Sequence, residues 1–316
     1  MVRSTPLRCR FRSRPFALLS VCLLPACTTL PQLQAPATRL GAAVTAATDA
    51  QQAIYTNADS AVQNRKVALY RSDWVTAKPD AQALRGGIPR ADPPIPPQEL
   101  EVRRSVLEGL AAYGQLMTSL AGGSQETALG SSAKAIGQNL KTIATDKGKI
   151  GSWAKDAGLS PNTSNIVETA IDGIGQTLID YSTSRELQQA ARSIQSHLAC
   201  IAAIFKRENI NLMSATNAND EIDAARVKTE VAILNDRYSS KAQAYLALRQ
   251  IDSDFASLQI PADPAPAAAA WDAVVKANGD IVDVKPTLWT DAQDAFERAK
   301  AAVSYYQGLQ KQLPTP

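Results

Sequence analysis

Apolar side chains along this chain recur at alternating steps of three and four, the spacing that lines one face of an α-helix. Val106, Leu110, Tyr113, Met117 and Leu120 form one such stripe, and Leu187, Ala191, Ile194, Leu198, Ile201 and Phe205 form another. Trp289, Ala292, Phe296, Ala299, Val303, Tyr306 and Leu313 make a third, opening after Pro286 and Thr287, residues that suit a helix start. The longest stripe runs Val227, Val231, Leu234, Tyr238, Ala242, Tyr245, Leu248, Ile251, Phe255 and Leu258. It predicts a helix of about 35 to 40 residues, roughly 50 Å long. Residues 38 to 77 predict a companion of similar length, with Leu40, Val44, Ala47, Ile54, Ala58 and Ala61 on one side ahead of Tyr70 and Trp74. Alanine is abundant, aromatics are scarce, and no stretch alternates apolar with polar for the length of a strand. With shorter helices near 98–121, 125–146, 163–208 and 288–312, the pattern predicts an all-α fold. We expect an elongated antiparallel helical bundle of two long helices and several shorter ones, forming one domain over 38–316.

Three interruptions break the helical period. Ala77 to Pro97 holds Gly86, Gly87 and six prolines and cannot be one helix. Its end, Ile88 to Pro97, is a candidate partner-binding loop in which Pro93, Pro94, Pro96 and Pro97 would hold a short polyproline II segment; a stiff connector is the competing reading. Gly148 to Asn162, carrying Trp153 and Leu159, reads as the second break, and Ile260 to Pro266 as the third. Exposed tryptophans at bundle ends, Trp74 and Trp153 among them, would add contact surface, whereas buried ones would plug helix ends. Gly130, Gly137, Gly173 and Gly175 fall in or beside helical patterns, where glycine costs about 1 kcal/mol relative to alanine. Close helix packing or local unwinding near a ligand would account for them.

The amino terminus follows a different rule. Arg3, Arg8, Arg10, Arg12 and Arg14 precede a short apolar run, Phe16 to Leu24, that ends near Cys27. Such a run is too short for a helix spanning roughly 30 Å of hydrocarbon. Leu24, Pro25, Ala26 and Cys27 resemble the lipobox of bacterial lipoproteins. That resemblance implies a signal peptide over 1–26, acylation of Cys27, a membrane anchor and, with Thr28 in place of aspartate, sorting to the periplasmic face of the outer membrane. An ordinary cleaved secretory signal is the alternative. Residues 27–37 read as the lipidated cysteine and a flexible tether, since Pro31 and Pro36 interrupt a stretch without apolar period.

Removing that signal changes the charge. The full chain carries 33 basic and 30 acidic side chains; without the five signal arginines, 28 face 30, a net charge of about −2. A phosphate-backbone footprint is then unsupported, and nucleic acid is not an expected partner. Of four cysteines, Cys9 and Cys22 leave with the signal and Cys27 is acylated, so Cys200 alone remains as a thiol. An intramolecular disulfide is excluded.

Catalytic chemistry finds little footing. With His197 as the single histidine, any site needing two is ruled out. His197 and Cys200, three apart, offer only a nominal thiolate and base, and Cys200 reads better as a small buried hydrophobe. Ser131 and Lys134 spell the S-x-x-K string of penicillin-binding proteins, without its companion motifs. Asp252 with Asp254, and Asp280 with Asp283, lack a calcium-loop glycine and read as solvated helix faces. Gly173, Ile174 and Gly175 precede no phosphate-binding lysine. No cofactor, metal or catalytic residue is expected. The sequence instead suggests a non-enzymatic, lipid-anchored scaffold, adaptor or inhibitor with an envelope protein as partner. Its alternative is a helical carrier enclosing an apolar ligand among Tyr113, Met117 and Phe205.

Overall fold

The structure, a computed structural model, describes residues 30–77, 91–123, 127–158, 164–182, 186–216, 225, 227–229, 231, 243, 246, 249 and 263–312. They form α1 (Leu30–Ala77), α2 (Pro97–Gly122), α3 (Thr127–Ala144), α4 (Lys147–Asp156), α5 (Ser164–Tyr181), α6 (Leu187–Thr216), α7 (Ala265–Asp283) and α8 (Leu288–Gln312). Residues 225, 227–229, 231, 243, 246 and 249 are helical as well, and no strand occurs among the described residues. The fold is an all-α helical bundle.

Several boundaries depart from expectation for identifiable reasons. α1 starts at Leu30, and Leu33 and Ala37 are buried, so residues 30–37 belong to the folded body and are not a tether. Apolar side chains at 33, 37 and 40 supply the period that the two prolines obscured. The segment expected as one helix over 163–208 is two, ending at Tyr181 and resuming at Leu187; the Ser182–Thr183–Ser184 cluster marks the break. The expected break at 148–162 contains α4, whose N-cap Asp146 accepts a hydrogen bond from the Lys149 N–H at 3.3 Å. That cap satisfies one of the orphan amides of the first turn. Most of the stripe expected over 227–258 lies outside the described residues. Of its members, Val227 and Val231 are described, and both are exposed. Between them Thr229 is buried instead, its hydroxyl donating to the Ala225 carbonyl at 2.7 Å, so this turn presents a different face from the one the valines implied.

Two compact units divide the chain: Met1–Gln52, Gln98–Glu208 and Ala265–Ser304 form one, and Ala53–Pro97, Asn209–Pro264 and Tyr305–Pro316 the other. In the first unit the α2 and α6 stripes are buried along their length. Burying one leucine or phenylalanine side chain contributes about 1.5–3 kcal/mol. Phe205 lies between Trp153 and Trp271, with ring centroids 5.7 and 5.4 Å away. Glycine lets two helix pairs approach backbone to backbone. A Cβ built on Gly137 of α3 would stand 2.6 Å from the Gly175 carbonyl oxygen of α5, and one on Gly114 of α2 would stand 2.6 Å from that of Gly41 in α1. Both are impossible contacts, so the glycines serve close packing.

α8 begins and ends where the sequence predicts, but its buried seam is Leu288, Ala292, Ala295, Ala299, Ala302 and Tyr306. The expected stripe is rotated by part of a turn: Trp289 is 48% exposed and Phe296 half-buried. Small alanines admit a neighbouring helix more closely than the larger aromatics do. In the second unit, Asn57 donates to the Tyr306 carbonyl at 2.9 Å, and the Tyr306 hydroxyl donates to the Asp263 carbonyl at 2.8 Å.

Candidate functional site

Two positions that break the apolar stripes by charge keep them by phase. Arg103 stands three residues before Val106 and Glu208 three after Phe205, so each extends its stripe by one step and must face the core. The structure buries both, at 0% and 1% exposure. The Arg103 guanidinium donates to Glu208 through Nε at 2.5 Å and to Asp156 at 2.7 Å, and pairs with Glu99 at 3.5 Å. It also lies 5.6 Å from the Trp153 ring centroid, within cation–π range. α2, α4 and α6 are thereby tied through one side chain. Burial and then the neighbouring Asp156 carboxyl push the Glu99 pKa above the usual carboxylate range. Chemically, this is a clamp between helices: the charges address one another.

A second polar knot joins α2, α6 and α7 around fully buried Asn278. The Tyr113 hydroxyl donates to its side-chain oxygen, and its NH₂ donates to the Ala191 carbonyl at 2.9 Å and to Gln195 at 2.5 Å. Burial drives the Tyr113 phenol far above its ordinary pKa.

The third cluster closes the α7–α8 corner. Asp280 is 1% exposed, not on a solvated face as its spacing with Asp283 suggested, and its carboxylate pairs with Lys285 at 2.6 Å and Lys276 at 3.3 Å. Lys276 also pairs with Asp291. Hydrogen bonding to the Asp280 carboxyl, and then to Lys276, lowers the Asp291 pKa to about 2. Val284 at this corner has φ +50°, a left-handed conformation for a β-branched residue, and the Lys285 N–H closes on the Asp280 carbonyl at 3.1 Å. This is the hydrogen bond of a Schellman-type helix end.

The residues singled out from sequence are dispersed. Cys27 lies outside the described residues, as do Asp252 and Asp254. Trp74 falls in α1, and its side chain is outside the described set. Trp153 is completely buried between Arg103 and Phe205, which removes it from any partner-binding surface. Pro93 and Pro94 are half-buried and Pro96 and Pro97 exposed. Here the chain is docked: Gln63 of α1 accepts from the Ala91 N–H and donates to the Ala91 carbonyl, each at 2.9 Å, Ile95 is buried, and Pro97 opens α2.

Ser131 and Lys134 stand exposed on α3. Cys200 is buried and forms no disulfide among the described residues. The His197 ring lies against Gly173, where a Cβ would collide with it. Burial lowers the His197 pKa, opposed by Asp172. The Gly173–Ile174–Gly175 segment is thus a packing surface on α5. Met117 is buried, and Phe205 is enclosed by two tryptophans.

One groove opens at the start of α1. Gln34, Ala35, Thr38, Arg39 and Ala42 line it with Trp289 of α8, around a volume of about 470 Å³. The Arg39 guanidinium stacks over Phe296 at 4.6 Å and lies 5.9 Å from the Trp289 ring centroid. No metal-binding group of three or more His, Cys, Asp or Glu side chains occurs among the described residues, and no described helix is long and apolar enough to cross a membrane. No family model matches the chain, and neither the curated proteins nor the solved structures provide a match.

Proposed function

We propose that this protein is a bacterial lipoprotein, anchored through acyl chains on Cys27 to the periplasmic face of the outer membrane, whose helical body binds or braces an envelope protein without catalysing a reaction. The observation that carries the structural half of this reading is the Arg103 clamp, in which a fully buried guanidinium joins α2, α4 and α6 through Glu99, Asp156 and Glu208. Buried charge used in this way supports a body built to hold helices in fixed register. The stacking of Phe205 between Trp153 and Trp271 favours bracing over the carriage of an apolar ligand, because the aromatic interior is occupied by its own side chains. The lipobox-like Leu24–Ala26–Cys27 pattern and the start of α1 at Leu30 support the anchor.

Bacteria expressing the full chain and fed a palmitate analogue test this reading. Label should enter the wild-type protein and sediment with outer-membrane fractions, and Cys27→Ala should abolish both. Labelling that survives Cys27→Ala, or an unlabelled soluble product from the wild type, would refute the anchor.

A further inference from the structure

We propose that the groove between the start of α1 and Trp289 is a binding site for the phosphate of an anionic phospholipid headgroup, seating the body on the membrane that holds Cys27. The inference rests on the lipid-anchor reading and adds to it a second, specific contact. Its first support is reach. Thr28 and Thr29 alone separate Cys27 from Leu30, the first helical residue. Three Cα steps span at most about 11 Å, and the helical rise from Leu30 to Gln34 adds about 6 Å. The near edge of the groove, at Gln34, is therefore within about 17 Å of the acylated residue, and Arg39, nine helical steps past Leu30, within about 25 Å, in reach of the headgroup layer of the bilayer.

Chemistry gives the second support. Among the described residues Arg39 pairs with no carboxylate; its contacts there are the faces of Phe296 and Trp289. Stacking fixes the guanidinium plane while leaving its donors to an outside acceptor, and such a fork matches phosphate oxygens in charge and geometry. Gln34 and Trp289, both exposed, line the same groove, and their side chains carry an amide and an indole N–H. Trp289 is 48% exposed, and an amphipathic ring in that situation suits the membrane–water interface. A cation held by two aromatic rings beside polar donors, next to the point of lipid attachment, fits an anionic headgroup better than an acidic protein surface.

The test reconstitutes the full acylated chain into phosphatidylcholine vesicles, with and without phosphatidylglycerol bearing a headgroup spin label, and reads tryptophan emission. Labelled phosphatidylglycerol should quench a component that disappears in Trp289→Phe. Arg39→Gln should require about tenfold more anionic lipid for equal quenching, and millimolar inorganic phosphate should not relieve it. Quenching unchanged in Trp289→Phe, or equal with a labelled zwitterionic lipid, overturns the headgroup site. Relief by inorganic phosphate assigns the groove to the free anion and overturns it too. Acylated protein with unquenched Trp289 defeats this inference alone; protein whose mass shows no acyl chain defeats the anchor reading and the inference with it.

Discussion

Arg103 and Asp280 are both buried charges, yet the molecule compensates them in opposite ways. Arg103 sits in the interior with a buried partner, Glu208, and an aromatic ring alongside. Asp280 sits at a helix corner, and its partners Lys276 and Lys285 keep 59% and 49% of their side chains in solvent. Their aliphatic stems reach inward while the rest of each lysine stays wet. The difference concerns what remains when one partner is removed: at Arg103 a carboxylate is stranded without water, at Asp280 two lysines simply rehydrate. A buried charge is thus only as critical as the solvent access of its partner.

The largest effect should come from Arg103→Met. Removing one partner of a buried pair costs about 3–5 kcal/mol, read as a shift of the urea midpoint. The double variant Arg103→Met, Glu208→Leu should recover most of that loss, since the fully buried carboxylate is gone and the remaining partners, Glu99 and Asp156, keep 19% and 42% of their side chains in solvent. If the double variant were no more stable than the single, the loss would not come from a stranded carboxylate. Asp280→Asn should cost less, about 1.5 kcal/mol. Equal losses at the two sites would remove the distinction drawn between them.

Acid should separate the clusters by sign. The folded pKa of Glu99 is raised, by burial and then by Asp156, so its ionised form is disfavoured in the fold. The associated penalty is present at neutral pH and is relieved as pH falls through the raised value. Asp291 is held at about 2 by Asp280 and Lys276. Its contribution is complete above the unfolded carboxylate range near 4 and is lost as pH falls from about 4 towards 2. Glu99→Gln should therefore raise stability slightly at neutral pH, and Asp291→Asn should lower it while flattening the acid limb. Urea titrations at several pH values check both; a loss from Glu99→Gln would show that its carboxylate is needed ionised. This is the smallest of the expected effects.

The same contrast explains what the sequence disclosed. In α6 the seam is leucine, isoleucine and phenylalanine apart from Ala191, and the large residues set the phase without ambiguity. In α8 the seam is mostly alanine, while Trp289 and Phe296 stand to one side beneath Arg39. Reading the largest side chains as the core therefore rotated that helix. Glycine at 148 and 151 hid α4, although Asp146 at its cap was visible.

The Arg103 clamp was legible in principle, because Arg103 and Glu208 continue the apolar stripes of α2 and α6 by one step each. Their type argued for the surface and their phase for the core, and phase prevailed because each had the other to pair with. The groove at Arg39 was not legible. It depends on α1 and α8 meeting across most of the chain, and on a segment that its prolines made look like a tether.

The most direct test of the anchored scaffold is the intact mass of the mature protein purified from bacterial membranes, with fragmentation of its first residues. A lipid-anchored protein should give a chain that begins at Cys27 and carries acyl chains there, leaving α1 to start three residues further on. A chain beginning elsewhere, or at Cys27 without acyl groups, would contradict the anchor reading.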